Sequence, residues 1–176
     1  MKTFFKILGS ILLLIIVYSL IAILFFDTHY HKEKTIVINA PQNKVWQQVN
    51  SMKAINDWNP WKKMDKNLAE DYKGKSGEVG DYYHWSGNDE VGEGEQKITA
   101  LIPMEKVSTQ MHFIRPFEDD ATSDIIVKPE GNTTKVTWGI DFELETKMKP
   151  MKPMMDYQMQ KSLDEGLDNL RTLLEK

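Results

Sequence analysis

The chain has 176 residues and a formal net charge of −4, a size that suits one domain with an appendage. It contains no cysteine, which excludes disulfides and thiolate chemistry. No cluster of Lys and Arg stands against the acidic balance, so nucleic acid is not an expected partner.

The appendage comes first. Residues 7–26 read ILGSILLLIIVYSLIAILFF, twenty positions without a charge. As a helix they would extend roughly 30 Å, the thickness of a bilayer's hydrocarbon core. No face of the segment is polar, which argues against a buried core helix. The run is also long for a cleavable signal, and it ends in Leu-Phe-Phe-Asp without a small-x-small site. Residues 1–27 are therefore expected to be a single-pass membrane anchor. Lys2 and Lys6 precede the run, while Lys32 and Lys34 are mixed with Asp27 and Glu33 after it. Counting basic residues places the N-terminus in the cytoplasm and the remainder on the extracytoplasmic side. That remainder carries 20 basic against 25 acidic side chains. Such a body is expected to stand off from an anionic bilayer.

Residues 28–32, THYHK, read as a tether, and residues 33–176 as one domain. TIVIN, 35–39, is a β-branched strand. Pro41 suits the first turn of a helix, and PQNKVWQQVN puts Val45, Trp46 and Val49 on one side. A second short helix over 52–57 stops at Asn59-Pro60. The stretch INDWNPW, 55–61, thus sets Trp58 and Trp61 around a turn. It is either a packed corner or the rim of a place where something binds. Strands follow at 67–72, 79–86, 92–102, 106–114, 122–128 and 134–144, separated by SGNDEVG, IPMEK, RPFEDD and PEGN. In the last of them Val136, Trp138, Ile140, Phe142 and Leu144 alternate with polar residues, the mark of a half-buried antiparallel strand. Beyond Pro150 and Pro153, Met155, Met159, Leu163, Leu167, Leu170 and Leu174 form one apolar stripe on a long helix. Gly166 lies in that helix at a cost of about 1 kcal/mol against alanine, which close approach to the sheet would offset. Nothing else in the chain can cover the apolar face of the sheet, so the sheet is expected to curve round this helix.

Catalytic signals are weak. His29 and His31 lie beside the apolar run with too few neighbouring ligands for a metal. By strand alternation His84 and His112 face away from Trp85, Met111 and Phe113, towards solvent. The glycine-rich stretch with Asp89, Glu90, Glu93 and Glu95 lacks the Lys and helix of a phosphate loop. Arg115 is read as pairing with Glu118 or Asp119, with an anionic head group as the other option. Methionine does rise above background, with Met148, Met151, Met154, Met155 and Met159 gathered where the last helix begins. Thioethers adapt to irregular apolar shapes. They either fill a core or line a pocket, and Met154, off the stripe, would line a side opening.

The order of elements, with IVINAPQNKVWQQVNSMKAINDWNPW, GDYYHWSGNDEVGEGEQKIT, RPFE (115–118), VTWGIDFE (136–143) and LDEGLDNLRTLLE, resembles the SRPBCC superfamily. Within it, the likeness is to the polyketide cyclase/dehydrase-like group of START-type domains, over residues 33–176. The resemblance implies an α+β helix-grip fold: a seven-stranded antiparallel sheet wrapped round the C-terminal helix, with two short helices after strand 1 and an apolar cavity between sheet and helix. Joined to the anchor read from residues 7–26, it implies a membrane-tethered binding domain for a lipid, isoprenoid, quinone or aromatic compound. The expected cavity wall is Trp58, Trp61, Trp85, Met111, Phe113, Trp138, Met155 and Met159. No catalytic residue, metal or cofactor is expected, and oligomeric state is not legible. Two alternatives remain: a cyclase or dehydratase, which would need Tyr83, His84 or Gln110 directed inwards, and a stress or interaction module with a vestigial pocket.

Overall fold

The computed structural model describes residues 1–175. In chain order the elements are α1 (Lys2–Phe25), β1 (His29–Ile38), α2 (Gln42–Gln47) and α3 (Met52–Trp58). A 3-10 turn (Trp61–Met64) leads to β2 (Ala69–Lys73), β3 (Tyr82–Ser86), β4 (Glu93–Ile102), β5 (Lys106–Arg115), β6 (Asp119–Glu130) and β7 (Thr133–Glu143). A second 3-10 turn (Thr146–Met151) leads into α4 (Lys152–Leu174). The seven strands form one antiparallel sheet in the order β1-β7-β6-β5-β4-β3-β2. This is the expected helix grip.

Alternation builds the concave face. Val136, Trp138 and Ile140 of β7 are buried, as are Val107, Thr109 and Met111 of β5 and Ala121, Ser123, Ile125 and Val127 of β6. Irregularities in the β4–β5 register at Glu93/Gly94 and Ile98/Ala100 help the sheet to bend. Against this face lies α4, whose Leu163, Leu167 and Leu170 are fully buried. Together with Val45, Val49, Met52, Ile55 and Trp58 from α2 and α3, they fill one end of the grip. Gly166 supplies the expected close approach: a Cβ there would lie 2.5 Å from Cζ3 of Trp138 and 3.1 Å from Cδ of Pro60.

The short helices are pinned by polar groups. Ser51 caps α3 by accepting from the Ala54 N–H at 3.2 Å. Buried Asp81 accepts from the N–H groups of Met52 and Gly77, each at 3.0 Å. Because Asp81 turns inward and Gly80 takes a positive φ of 94°, β3 starts at Tyr82 rather than at 79.

β1 begins at His29, so it takes in most of the stretch expected as a tether. The alternation explains this. Tyr30 points inward, is fully buried and stacks on Phe142 at 4.5 Å between ring centroids. His29 and His31 point outward, where Nδ1 of His29 lies 3.1 Å from Glu143 and Nδ1 of His31 lies 2.7 Å from Asp141. The two histidines thus have carboxylate neighbours that the sequence reading did not foresee. Among the described residues, no group of three or more His, Asp or Glu side chains is arranged to hold a metal.

α1 is long and apolar enough to cross a membrane. Its large apolar side chains are exposed along most of its length. Near its C-terminal end it meets the Thr146–Met151 turn. There the Tyr18 hydroxyl donates to the Pro150 carbonyl at 2.8 Å, and Lys149 Nζ donates to the Ile23 carbonyl at 3.2 Å.

Candidate functional site

The two halves of α4 differ in what they pack against. The leucine half is closed by α2 and α3. The methionine half, Met155 and Met159, faces the sheet across open space, and a cavity of about 460 Å³ lies between them. This falls within the range of ligand pockets, roughly 300–1,000 Å³. Aromatic and aliphatic side chains make the inner wall: Trp61, Trp85, Met111, Phe113, Trp138, Ile140, Phe142, Met155 and Met159. The mouth is formed by the β5–β6 turn (Pro116 to Asp119), Glu90 and Val91, and Met148.

Seven of the eight expected wall residues border this space; Trp58 does not. Its ring is buried behind the wall, edge-on to Trp138 at 4.9 Å. Its indole N–H donates to the Gln48 carbonyl at 2.8 Å. The two tryptophans of INDWNPW therefore divide the roles: Trp58 is the packed corner and Trp61 part of the wall. Polar links fix the turn between them. Asn56 donates to the Met52 carbonyl (3.0 Å), Asn59 donates to Asn56 Oδ1 (3.0 Å), and the Trp61 N–H donates to Asn59 Oδ1 (3.0 Å). From α4, Asn169 donates to the Trp58 carbonyl at 3.1 Å. Met154 is exposed and lies outside the cavity, so it lines no side opening.

A narrow polar strip crosses the wall. Gln96 Nε2 donates to Thr109 Oγ1 at 2.8 Å, and the Trp138 indole N–H donates to Ser123 Oγ at 2.9 Å. Strand alternation alone would have pointed to Gln96 and Ser123, but their polarity hid them among expected apolar liners.

The cations at the cavity are already matched. The three lining cations are Lys62, Arg115 and Lys147. Their partners are Glu70 (2.8 Å), Glu93 (2.9 Å) and Glu145 (2.6 Å). Arg115 thus pairs with Glu93 across the β4–β5 ladder rather than with Glu118 or Asp119 beside it in sequence. Its guanidinium also donates to Ser86 Oγ at 3.3 Å and to the Gly87 carbonyl at 3.4 Å. Arg115 holds the Glu93 carboxyl below the usual carboxylate range. Burial works against ionisation of Glu70, yet hydrogen bonds from Lys62 and Tyr72 bring it below its ordinary value.

Of the three side chains that a cyclase or dehydratase reading would use, Tyr83 alone faces the cavity. Burial and the neighbouring Glu70 charge push its phenol upward, so at neutral pH it is a hydrogen-bonding group and not a base. His84 lies on the outer face with Nε2 3.4 Å from Glu93, and Gln110 is exposed. His112 is also on the outer face, 2.9 Å from Asp120.

Over residues 30–175 the sequence matches the family model described as polyketide cyclase / dehydrase and lipid transport. No curated protein matches significantly. Among solved structures, a major latex-like protein from ginseng, Panax ginseng, is 16% identical with a TM-score of 0.61, covering 84% of this chain and 99% of its own. A Bacillus halodurans protein solved in solution is 18% identical with a TM-score of 0.60, covering 84% and 99%. A protein from Thermus thermophilus is 13% identical with a TM-score of 0.60, covering 81% and 95%. At these identities the likeness is one of fold.

Proposed function

This chain belongs to the polyketide cyclase / dehydrase and lipid transport family, and from that premise we propose that it holds a small, uncharged apolar molecule between sheet and helix while α1 anchors it in a membrane. The observation that carries this reading is the cavity of about 460 Å³, apolar within and with each lining cation already paired to a carboxylate. An anionic ligand would have to break one of those pairs, whereas a lipid tail, isoprenoid or aromatic compound would only displace water from apolar wall. Gln96, Ser123 and Tyr83 offer a few hydrogen-bonding atoms to orient it. The methionines at the N-terminal end of α4 suit a ligand of variable shape. An anchor confines the site to a reservoir of apolar molecules and raises their effective concentration.

The test uses the full chain in phosphatidylcholine nanodiscs and a small apolar aryl-diazirine, with adducts mapped by mass spectrometry. Adducts are expected on α1, which serves as internal control, and on Met111, Trp138 and Met159. Ala121→Phe, which fills the cavity from β6, is expected to remove the interior adducts and leave those on α1. Labelling confined to α1 in the unmodified chain would overturn the reading.

A further inference from the structure

The cavity mouth and the anchor lie at the same end of the sheet. The register places His29 opposite Glu143, Phe142 opposite Ala121, Asp119 opposite Phe113, and Arg115 opposite Glu93. The start of β1 is therefore level with the β5–β6 turn that forms the mouth. Only three residues separate Phe25, the end of α1, from His29, so the anchor emerges within about 14 Å of this level.

The anchor is also fastened there. Tyr18 reaches the Pro150 carbonyl, Lys149 reaches the Ile23 carbonyl, and Lys152 Nζ donates to the carbonyls of Asp27 (3.4 Å) and His29 (3.3 Å). Tyr18 lies eight positions before Phe26, about 12 Å along the helix axis. The Thr146–Met151 turn thus runs down the side of α1, below the point where the helix ends.

The surface at this end has the chemistry of a bilayer interface. Phe117 is 73% exposed and Met154 54%, with Met151 and Tyr157 also exposed. Residues 147–154 read KMKPMKPM, lysines alternating with Met and Pro, so that apolar groups can enter the acyl boundary while ammonium groups stay at head-group level. Of the acids at this end, Asp120, Asp141 and Glu143 lie on the outer face of the sheet beside His112, His31 and His29, Glu145 pairs with Lys147, and Glu118 and Asp119 follow Phe117 in the mouth turn. Residues 146–154 carry three lysines and no acid, so the acidic balance of the whole domain is not the charge that this segment presents.

We propose that the domain sits mouth-down on the leaflet from which α1 emerges, with Phe117, Met151 and Met154 in the interfacial layer, so that the cavity exchanges its ligand directly with lipid. This rests on the reading that α1 spans a membrane and that the cavity holds an apolar ligand. It replaces the expectation that the domain stands off from the bilayer.

Because the chain has no cysteine, single thiols can be placed and labelled without background. The full chain is reconstituted into phosphatidylcholine vesicles whose acyl chains carry bromine. An environment-sensitive dye is attached in turn at Phe117→Cys, Met154→Cys, Leu12→Cys on α1 and Asn132→Cys in the far β6–β7 turn. Quenching at 117 and 154 is expected to be several-fold stronger than at 132 and to approach that at 12. Quenching at 12 with 117 and 154 no stronger than 132 overturns the orientation and leaves the anchor standing. Absence of quenching at 12 overturns both, and neither outcome touches the diazirine adducts on which ligand holding depends.

Discussion

Gly166 is where the helix and the wall of the cavity touch most closely. A methyl group there would meet the Trp138 ring and Pro60, and Trp138 is itself held by Ser123 and flanked by Trp58 and Trp61. The indole can yield only towards the cavity and away from its Ser123 partner, so Gly166→Ala is expected to destabilise by about 1–3 kcal/mol through overpacking, despite alanine's better helix propensity. Chemical denaturation checks this. His112 gives a residue-scale pH dependence. The Asp120 hydrogen bond raises its pKa above the ordinary histidine value, against some desolvation, with Glu118 and Glu95 adding to the effect. A raised folded pKa means that the imidazolium contributes stability in full below about pH 6.5. That contribution is lost as pH rises through the raised folded value. NMR titration should show His112 titrating above the ordinary value, and Asp120→Asn should lower that midpoint. Trp58 and Trp61 show what single residues conceal. Two tryptophans three positions apart look alike in sequence, yet Trp58 is sealed in with its indole N–H on the Gln48 carbonyl, whereas Trp61 borders the cavity.

At the level of elements, α3 depends on a residue far from it in sequence. Seven residues form too short a helix to stand alone, and its first N–H groups are met by Ser51 and by Asp81, the residue before β3. Asp81→Ala would strand the Met52 and Gly77 donors and is expected to cost about 1–3 kcal/mol for each one left unsatisfied. Asp81→Asn, which keeps an acceptor, should cost less; thermal unfolding of the two variants ranks them. The stripe of α4 was legible because a spacing of three and four is sufficient to define a helix face. Its division into a leucine half that is packed and a methionine half that borders a void was not, since both residue types satisfy the same pattern. Strand boundaries went astray where a polar side chain had a partner across the ladder. β1 starts early because His29 and His31 meet Glu143 and Asp141, more than a hundred positions away. Arg115 likewise finds Glu93 on the neighbouring strand instead of the acids that follow it.

For the molecule as a whole, the helix grip follows from one amphipathic helix being the only long cover among the described residues for one apolar sheet face, and that argument needs no long-range information. The cavity needs more. It exists because the sheet stays open beyond the reach of α2 and α3, a matter of curvature that residue types do not encode. The relation of α1 to the mouth needs the register of all the strands at once.

The contact between Tyr18 and Pro150, with the lysine bonds beside it, makes α1 a post and not a leash. Fewer than four residues of slack chain separate post and sheet. With α1 in a membrane, each copy would be confined to the ring of lipid around its own span. It could hand cargo to a neighbour diffusing in the same sheet of lipid, but it could not reach an opposing membrane or swing out into the aqueous space to meet a soluble acceptor.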